Sequence, residues 1–393
     1  MNDEIQLGSS GFLRSSEVKV CKHNMLEHFH VAEEDEVRIM PDALRKTTNE
    51  LFLKIGFSEQ DAWQSTDVLL LSDTRGVDTH GVSNMMRRYI EGVAEGFINP
   101  KPSWTITRET ATTANVDCDR GLGIAVIPQV MKLAIEKAKE TGIGMITMGN
   151  GRHAGMIAYH AMMALEHDMI GYSITAGGQS MPPTFGAEPR LAPNPHAWAV
   201  PAGDEAPFVL DISSSSVAAN KIQLLRRMES MTIPGIMAQA DGTPIMDERP
   251  IPEETIVLPN GATRELGSHK GYGLSAVAQI LGGILSDGAF GPYDSGHMSH
   301  VVAAYSIEAF TDLDRFKSSM DEFLKYLRET PPAPGHDRVY YAGLPEHEES
   351  IDRHERGIPL HHEVVEWFDQ ATAEFNLAPL ERSGNDRNLN NNA

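Results

Sequence analysis

The seven residues GNGRHAG at 149–155 decide the fold. They match the G-x-G-x-x-A form of a dinucleotide fingerprint, between a predicted strand at 143–148 and a predicted helix at 154–167. In a doubly wound parallel sheet such a loop aims backbone amides at a pyrophosphate, and an acidic residue about twenty positions on holds the ribose. That position reads Thr175-Ala176-Gly177-Gly178 and offers no carboxylate. A second G-x-G-x-x-A, at 271–276, has no convincing strand before it, which shows how cheaply the pattern arises. An ordinary Rossmann fold is therefore disfavoured. His153, inside the first loop, reads either as an acid-base or cofactor-contacting group or as a helix cap.

Outward from this loop the chain alternates. A helix is predicted at 127–140, stopping at Gly142, and strands at 143–148, 170–175, 198–200, 208–212 and 301–307, with Leu274, Val277, Leu281 and Leu285 forming a helical stripe. Upstream, Leu44, Thr48, Leu51 and Ile55 mark an amphipathic helix closed by Gly56, and Ser58 with Asp61 opens another that runs to about Leu71. Downstream, Leu313, Phe316, Met320, Phe323 and Leu327 make the most regular amphipathic helix. A polar, surface-hugging connection is expected from Pro331-Pro332 to Pro359, then a last helix carrying Val364, Val365, Phe368 and Phe375. Residues 1–36 read as an arm with little core, folded structure is expected from Val37, and the Asn-rich tail at 381–393 reads as disordered.

The chemistry concentrates in DTRGVDTHGVSNMMRRY at 73–89. Gly76 and Gly81 flank His80, so the chain is expected to bend at Gly81 and present the imidazole at a helix entrance, where it titrates near neutrality as an acid or base must. Thr79 hydrogen-bonds the same substrate atom or orients the ring, and Arg75, Arg87 and Arg88 supply guanidinium forks for a carboxylate. The plainer alternative is that Thr79 caps the helix, His80 meets a backbone carbonyl and the arginines are solvated. Two more loops suit an anion. DISSSSVAANKI at 211–222 carries Ser213, Ser214, Ser215 and Lys221, although serine turns often only cap, and SHKGYGL at 268–274 brings His269 and Lys270 to a glycine-rich helix start.

Composition bounds the rest. With 393 residues and 41% apolar content, two domains or one elaborate one are expected. The formal charge, 33 minus 55 or -22, argues against nucleic acid or membrane as the main partner. Cys21 and Cys118 are the only cysteines, so a disulfide framework or thiolate zinc site is excluded and a reducing cytoplasm fits. No apolar run of signal-peptide or membrane-spanning kind is present. His23, His28 and His30 lie close together, without carboxylate or thiolate partners at helical spacing, and no metal site is expected.

Five segments in collinear order resemble the malate/L-lactate dehydrogenase family that is separate from the Rossmann-type enzymes: DTRGVDTHGVSNMMRRYIEGVAEGFINP from Asp73, GNGRHAGMIAYHAMMALEHDMIGYS from Gly149, PPTFGAEPRLAPNPHAWAVP from Pro182, FVLDISSSSVAANKI from Phe208, and GSHKGYGLSAVAQILGGILSDGAF from Gly267. The resemblance covers about 37–379. It implies an α/β protein whose NAD(P)-binding domain, at 121–307, has a largely antiparallel or mixed sheet of its own kind. It also implies a mainly helical substrate and dimerisation domain built from 37–120 and 308–380. The implied activity is NAD- or NADP-dependent interconversion of a small anionic 2-hydroxy acid, such as malate, lactate or sulfolactate, and its 2-oxo acid, in a homodimer.

By position His80 and His153 become the acid-base candidates, with Thr79 facing the substrate. The loop 174–181, including Thr175, Gly177 and Gly178, the turn 213–221 and the segment 298–300, including His300, are implied to touch the cofactor. Relatives often carry an arginine where this chain has Asn84, so the carboxylate clamp falls to Arg87 or Arg88. Alternatives are a same-family reductase of a cyclic imine, oxo-sugar acid or ureidoglycolate; a metal-dependent hydrolase, disfavoured because no H-x-x-x-H or H-E-x-x-H helix appears among the core histidines; and a non-catalytic binding protein.

Overall fold

A computed structural model describes Val31 and residues 34–382, except 219, 220, 223, 224, 227–229, 289, 294 and 295. His23, His28, His30 and Cys21 of the expected arm, and the expected disordered tail beyond residue 382, lie outside the described residues.

The chain enters on strand β1 (Glu36–Ile39), which pairs antiparallel with β11 (Ile358–His361) near the other end of the sequence. Helices α1 (Pro41–Lys54), α2 (Glu59–Thr74) and α3 (Val82–Ala94) follow, and Ser58 caps α2 by accepting the Asp61 N–H at 3.1 Å. Their apolar faces meet α9 (His362–Glu374) in one core, where Leu44, Leu51, Phe52, Leu69, Met86 and Phe368 are fully buried. Both chain ends thus build one helical core, because the β1–β11 ladder brings them together.

A seven-stranded mixed sheet forms the second body. Its members are β2 (Thr105–Glu109), β3 (Thr113–Asp117), β4 (Ile143–Gly151), β5 (Met169–Ala176), β6 (His196–Val200), β7 (Phe208–Ile212) and β10 (Met298–Ser306), in the order β2-β3-β4-β10-β5-β6-β7. A small hairpin pairs β8 (Met237–Ala238) with β9 (Ile256–Val257). Only β3 and β4 run parallel; every other neighbouring pair is antiparallel. This is the mixed sheet the resemblance implies, and it is not doubly wound.

Alternation along β10 divides the two faces. Val302 and Ala304 pack under α4 (Gly123–Thr141) and α5 (Ala158–Met162), whereas Val301 and Ala303 face α6 (Ser268–Ala278) and the π-helical turn Gln279–Ile284 that extends it. Leu274 and Val277 on α6, Ile280 and Ile284 on the turn and Leu285 after it remain exposed. Helix α7 (Leu313–Arg328) contributes no side chain to the core built by the chain ends. It lies beyond the sheet, where Asp321 accepts the N–H groups of Gly203, Asp204 and Glu205 and Lys317 pairs with Asp168.

The structure revises three local expectations. Helix α4 begins at Gly123 rather than 127, since Pro128 sits inside it. GNGRHAG does not open a helix: Asn150 and Gly155 take left-handed angles, φ +55° and +66°, and the helix waits until Ala158. The stretch expected to be a polar connection contains α8 (Leu344–Arg356), bracketed by Gly343 and Gly357 at φ +93° and +89°. Its one buried residue is Arg353, so apolar periodicity carried no signal.

Candidate active site

Strand direction gathers the site. Strands β3, β4, β5 and β7 end, and β10, β6 and β2 begin, at the same edge of the sheet. The loop after Gly151, the Thr175–Gly178 loop, the serine turn after Ile212 and the start of β10 therefore converge there.

His80 arrives from the helical body. It ends a 3-10 turn, Asp78–His80, just before α3. Gly81 is extended rather than left-handed (φ -87°, ψ -170°), so the expected reason for a glycine is corrected: a Cβ there would lie 1.8 Å from Asp73 Oδ1. The buried Asp73 carboxylate needs that space, because its Oδ2 accepts the Val82 N–H at 2.9 Å and so anchors the first turn of α3. Burial pushes the Asp73 carboxyl well above the ordinary carboxylate range.

Arg353, which the sequence reading missed, holds the turn from the other side. Fully buried, it donates to Asp78 Oδ1 at 2.5 Å, to the Asp73 carbonyl at 2.6 Å and to Glu349 at 2.7 Å. Asn84 donates to the Asp78 carbonyl at 2.8 Å. The missed signal lay in Asp78 of the quoted motif, a partly buried carboxylate that pairs with a cation from a distant element.

The imidazoles of His80 and His153 stack with centroids 5.6 Å apart and planes 11° from parallel. Thr79 Oγ1 lies 2.9 Å from His80 Nδ1, so Thr79 addresses the ring instead of capping α3, whose N-cap Gly81 offers no side chain. His153 Nδ1 accepts the Gly155 N–H at 3.2 Å and faces the Tyr89 hydroxyl at 2.8 Å. A backbone N–H only donates, so Nδ1 is the acceptor and the neutral ring carries its proton on Nε2. Burial, with the nearby Arg88 guanidinium adding to it, lowers His80 to about 4. Burial lowers His153 to about 3, helped by His80, His300 and Arg88. Burial likewise pushes the Tyr89 hydroxyl up.

Arg88 is thus the arginine whose charge reaches both rings. Arg87 instead lies over the Trp367 ring, 5.4 Å from its centroid, and Arg75 is buried, donating to the Gly343 carbonyl. His300 sits beneath the His153 loop: a Cβ on Gly151 would stand 2.7 Å from its Nε2, and its Nδ1 pairs with Thr175 Oγ1. Burial holds His300 at about 3 and His160, which meets the Ala154 carbonyl, at about 4.

Gly177 and Gly178 take φ +150° and +82°. A Cβ at Gly177 would meet the His297 carbonyl at 2.9 Å, while one at Gly178, which lies exposed, would meet only Ala192 Cβ at 3.9 Å, an ordinary contact. The serine turn closes on itself. Ser213 and Ser214 donate to the Pro193 carbonyl, Ser215 donates to the Val217 carbonyl, and Ser213 Oγ meets Ser215 Oγ at 2.6 Å. Burial lowers Lys221, and Lys270 stands exposed at the start of α6. His80, His153, Thr79, Arg88, Thr175 and His300 are therefore grouped, whereas Arg87 and Asn84 are engaged elsewhere.

A family profile described as Malate/L-lactate dehydrogenase matches residues 39–369. The malate dehydrogenase of Pyrococcus abyssi is 34% identical over 89% of this chain and 98% of its own. The malate/(S)-sulfolactate dehydrogenase of Methanothermus fervidus is 31% identical over 86% of this chain and 98% of its own. The solved malate dehydrogenase of Pyrococcus horikoshii superposes with a TM-score of 0.82 at 32% identity, over 89% of this chain and 99% of that one. That of Entamoeba histolytica gives 0.83 at 31%, over 87% and 99%. Fold and matches together define an oxidoreductase acting on CH–OH groups with a nicotinamide cofactor. The chain belongs to the malate/L-lactate dehydrogenase family.

Residues at the gathered edge suit such a cofactor. Asn150 Oδ1 is a buried acceptor without a protein partner in the described structure, and Gly178 exposes backbone with no side-chain bulk. An amide-bearing ring requires such groups.

Proposed function

We propose that this chain interconverts a small 2-hydroxy acid, malate foremost, with its 2-oxo acid at His80 and His153, using NAD or NADP. The observation that carries the proposal is the complementary pair of stacked rings: His153 presents an Nε2–H donor, and His80 is a neutral base whose Nδ1 is engaged by Thr79. A bound nicotinamide supplies the two-electron acceptor or donor.

In oxidation His80 Nε2 takes the substrate hydroxyl proton, while Nδ1–H donates to Thr79 and keeps the ring in that tautomer. His153 donates from Nε2 to a substrate oxygen, and Tyr89 holds it in place. Arg88 anchors the carboxylate and so orients the reacting carbon. In reduction a protonated His80 returns the proton, and the substrate's own negative charge beside the ring favours that form. Thr175, Gly177, Gly178 and His300 line the nicotinamide side. Ser213, Ser214, Ser215, Lys221 and Lys270 form the more distant wall, and Asn84 supports the turn that carries His80.

The domain reading is part of the proposal: the substrate side comes from the chain-end core and the cofactor side from the sheet. The exposed stripe on α6 and the π turn supports a homodimer, and a single-chain species in sedimentation would overturn that assignment. The buried free thiol of Cys118 suits the cytoplasm, and among the described residues no helix is long and apolar enough to cross a membrane. The test is a rate panel of malate, lactate, sulfolactate, a cyclic imine and ureidoglycolate with both cofactors. Malate and its analogues are expected to lead, and a lead by the imine would overturn the substrate assignment.

A further inference from the structure

The junction where β11 passes directly into α9 carries a second group of ligating side chains, away from His80. The β1–β11 ladder pairs Glu36 with His361, and it is extended by the His362 N–H, which donates to the Asp35 carbonyl at 2.9 Å. Backbone pairing thus holds Asp35 opposite two consecutive histidines. His361 Nε2 faces Asp35 Oδ2 at 3.9 Å, and His362 Nε2 faces Oδ1 at 3.7 Å. One ligating atom from each of the three residues falls within 4.8 Å of the other two. These separations are too long for hydrogen bonds, yet they converge on one point.

We propose that Asp35, His361 and His362 bind one borderline divalent cation of the zinc, cobalt or nickel kind. Metal bonds of about 2.0–2.1 Å in a tetrahedron place ligand atoms roughly 3.4 Å apart, so side-chain adjustments of up to about 1.4 Å close the site. Two imidazoles with one carboxylate select such ions over magnesium or calcium, and water completes the coordination.

The outer contacts have the form that metal-bound histidines use. His361 Nδ1 lies 3.9 Å from Glu363 Oε2, and His362 Nδ1 lies 3.7 Å from Glu366 Oε1. Each ring therefore sets Nε2 toward the shared centre and Nδ1 on the side of a glutamate that is within ion-pair reach but beyond hydrogen-bond length, the acceptor a metal-bound ring would draw in. His361 Nδ1 now accepts the Glu363 N–H at 3.3 Å; on binding, the ring proton moves to Nδ1 and the Glu363 carboxylate takes that contact. A cation at the start of α9 meets an unfavourable helix dipole, and the carboxylates of Asp35, Glu363 and Glu366 offset it.

The site joins the first strand of the fold to its last helix, so the ion acts as a clamp on the chain ends. Binding to the folded chain alone raises its stability.

The test is titration of the metal-stripped full chain with Co2+, followed by visible absorption and thermal melting. One ion per chain is expected, with a rise in Tm. His361→Ala with His362→Ala is expected to abolish the absorption band, and Asp35→Asn to weaken binding about tenfold, both with malate turnover unchanged. On the unaltered chain, Zn2+ is expected to protect His361 and His362 from diethyl pyrocarbonate, read by peptide mass. Absence of saturable one-to-one binding, undiminished binding in either variant, or failure of that protection overturns the proposal.

Discussion

At the residue scale, the two stacked imidazoles differ because their backbone surroundings differ. His153 is held in one tautomer by a peptide N–H that can only donate, while the Nδ1 of His80 meets a hydroxyl able to serve in either role. That asymmetry supports the proposal that His80 transfers the proton and His153 polarises the substrate. His80→Ala is expected to lower turnover by roughly a hundredfold or more, with cofactor affinity, read by NADH or NADPH fluorescence, little changed. Near-normal turnover in that variant would move the acid-base role to His153. Both histidines were legible in the sequence, since each lies in a glycine-flanked motif. Tyr89 appeared there only as one apolar position of α3, because nothing local shows that its hydroxyl reaches across 64 residues to His153.

At the scale of elements, the 3-10 turn that presents His80 is held by α8 through one buried guanidinium. Removing it strands the Asp78 carboxylate and the Asp73 carbonyl. Arg353→Met is expected to destabilise the fold by about 1.5–3 kcal/mol, the scale for losing hydrogen bonds to charged groups that stay partly solvated, as measured by urea unfolding. Turnover should fall at temperatures where the variant remains folded, because the turn carrying Thr79 and His80 loosens. Retention of both stability and turnover would show that Asn84 and Asp73 hold the turn unaided. Strands β4, β5, β6, β7 and β10 were readable because each is an apolar run bounded by turn residues. Helix α8 was not, since helix prediction relies on an apolar stripe and α8 buries an arginine. Likewise, α7 has the clearest stripe, yet only Leu324 is fully covered, and its place beyond the sheet depends on the long-range contact of Asp321 with 203–205.

At the scale of the whole molecule, histidines set the acid limit of the fold, with His160 and His300 fully buried and His80 and His153 partly so. His80 and His160 are lowered to about 4, and His153 and His300 to about 3, against an ordinary value near 6.5. The unfolded chain takes up these protons as pH drops below about 6.5, and the folded chain refuses them until near 4, so stability present at neutrality is lost across that window. Burial raises Asp73 and brings Asp211 to about 6, which works in the opposite sense by up to two protons below pH 6. The lowered His196 adds to the histidine side of this balance, so unfolding takes up protons over this window and stability falls as pH drops through it. Urea midpoints are expected to fall steeply between pH 6 and 4.5, and a flat profile there would contradict the burial of these rings. The mixed sheet order was not readable from the residues alone: the insertion of β10 between β4 and β5 joins segments more than 120 residues apart, which no local periodicity encodes.

Because neighbouring strands mostly run in opposite directions, each loop at the reactive edge leaves and returns through its own pair of anchors. Lengthening the segment after Ala176 need not shift the one after Gly151. Preference for one acid over another is therefore open to adjustment one loop at a time, with the hydride geometry left to the rings and the sheet that hold it.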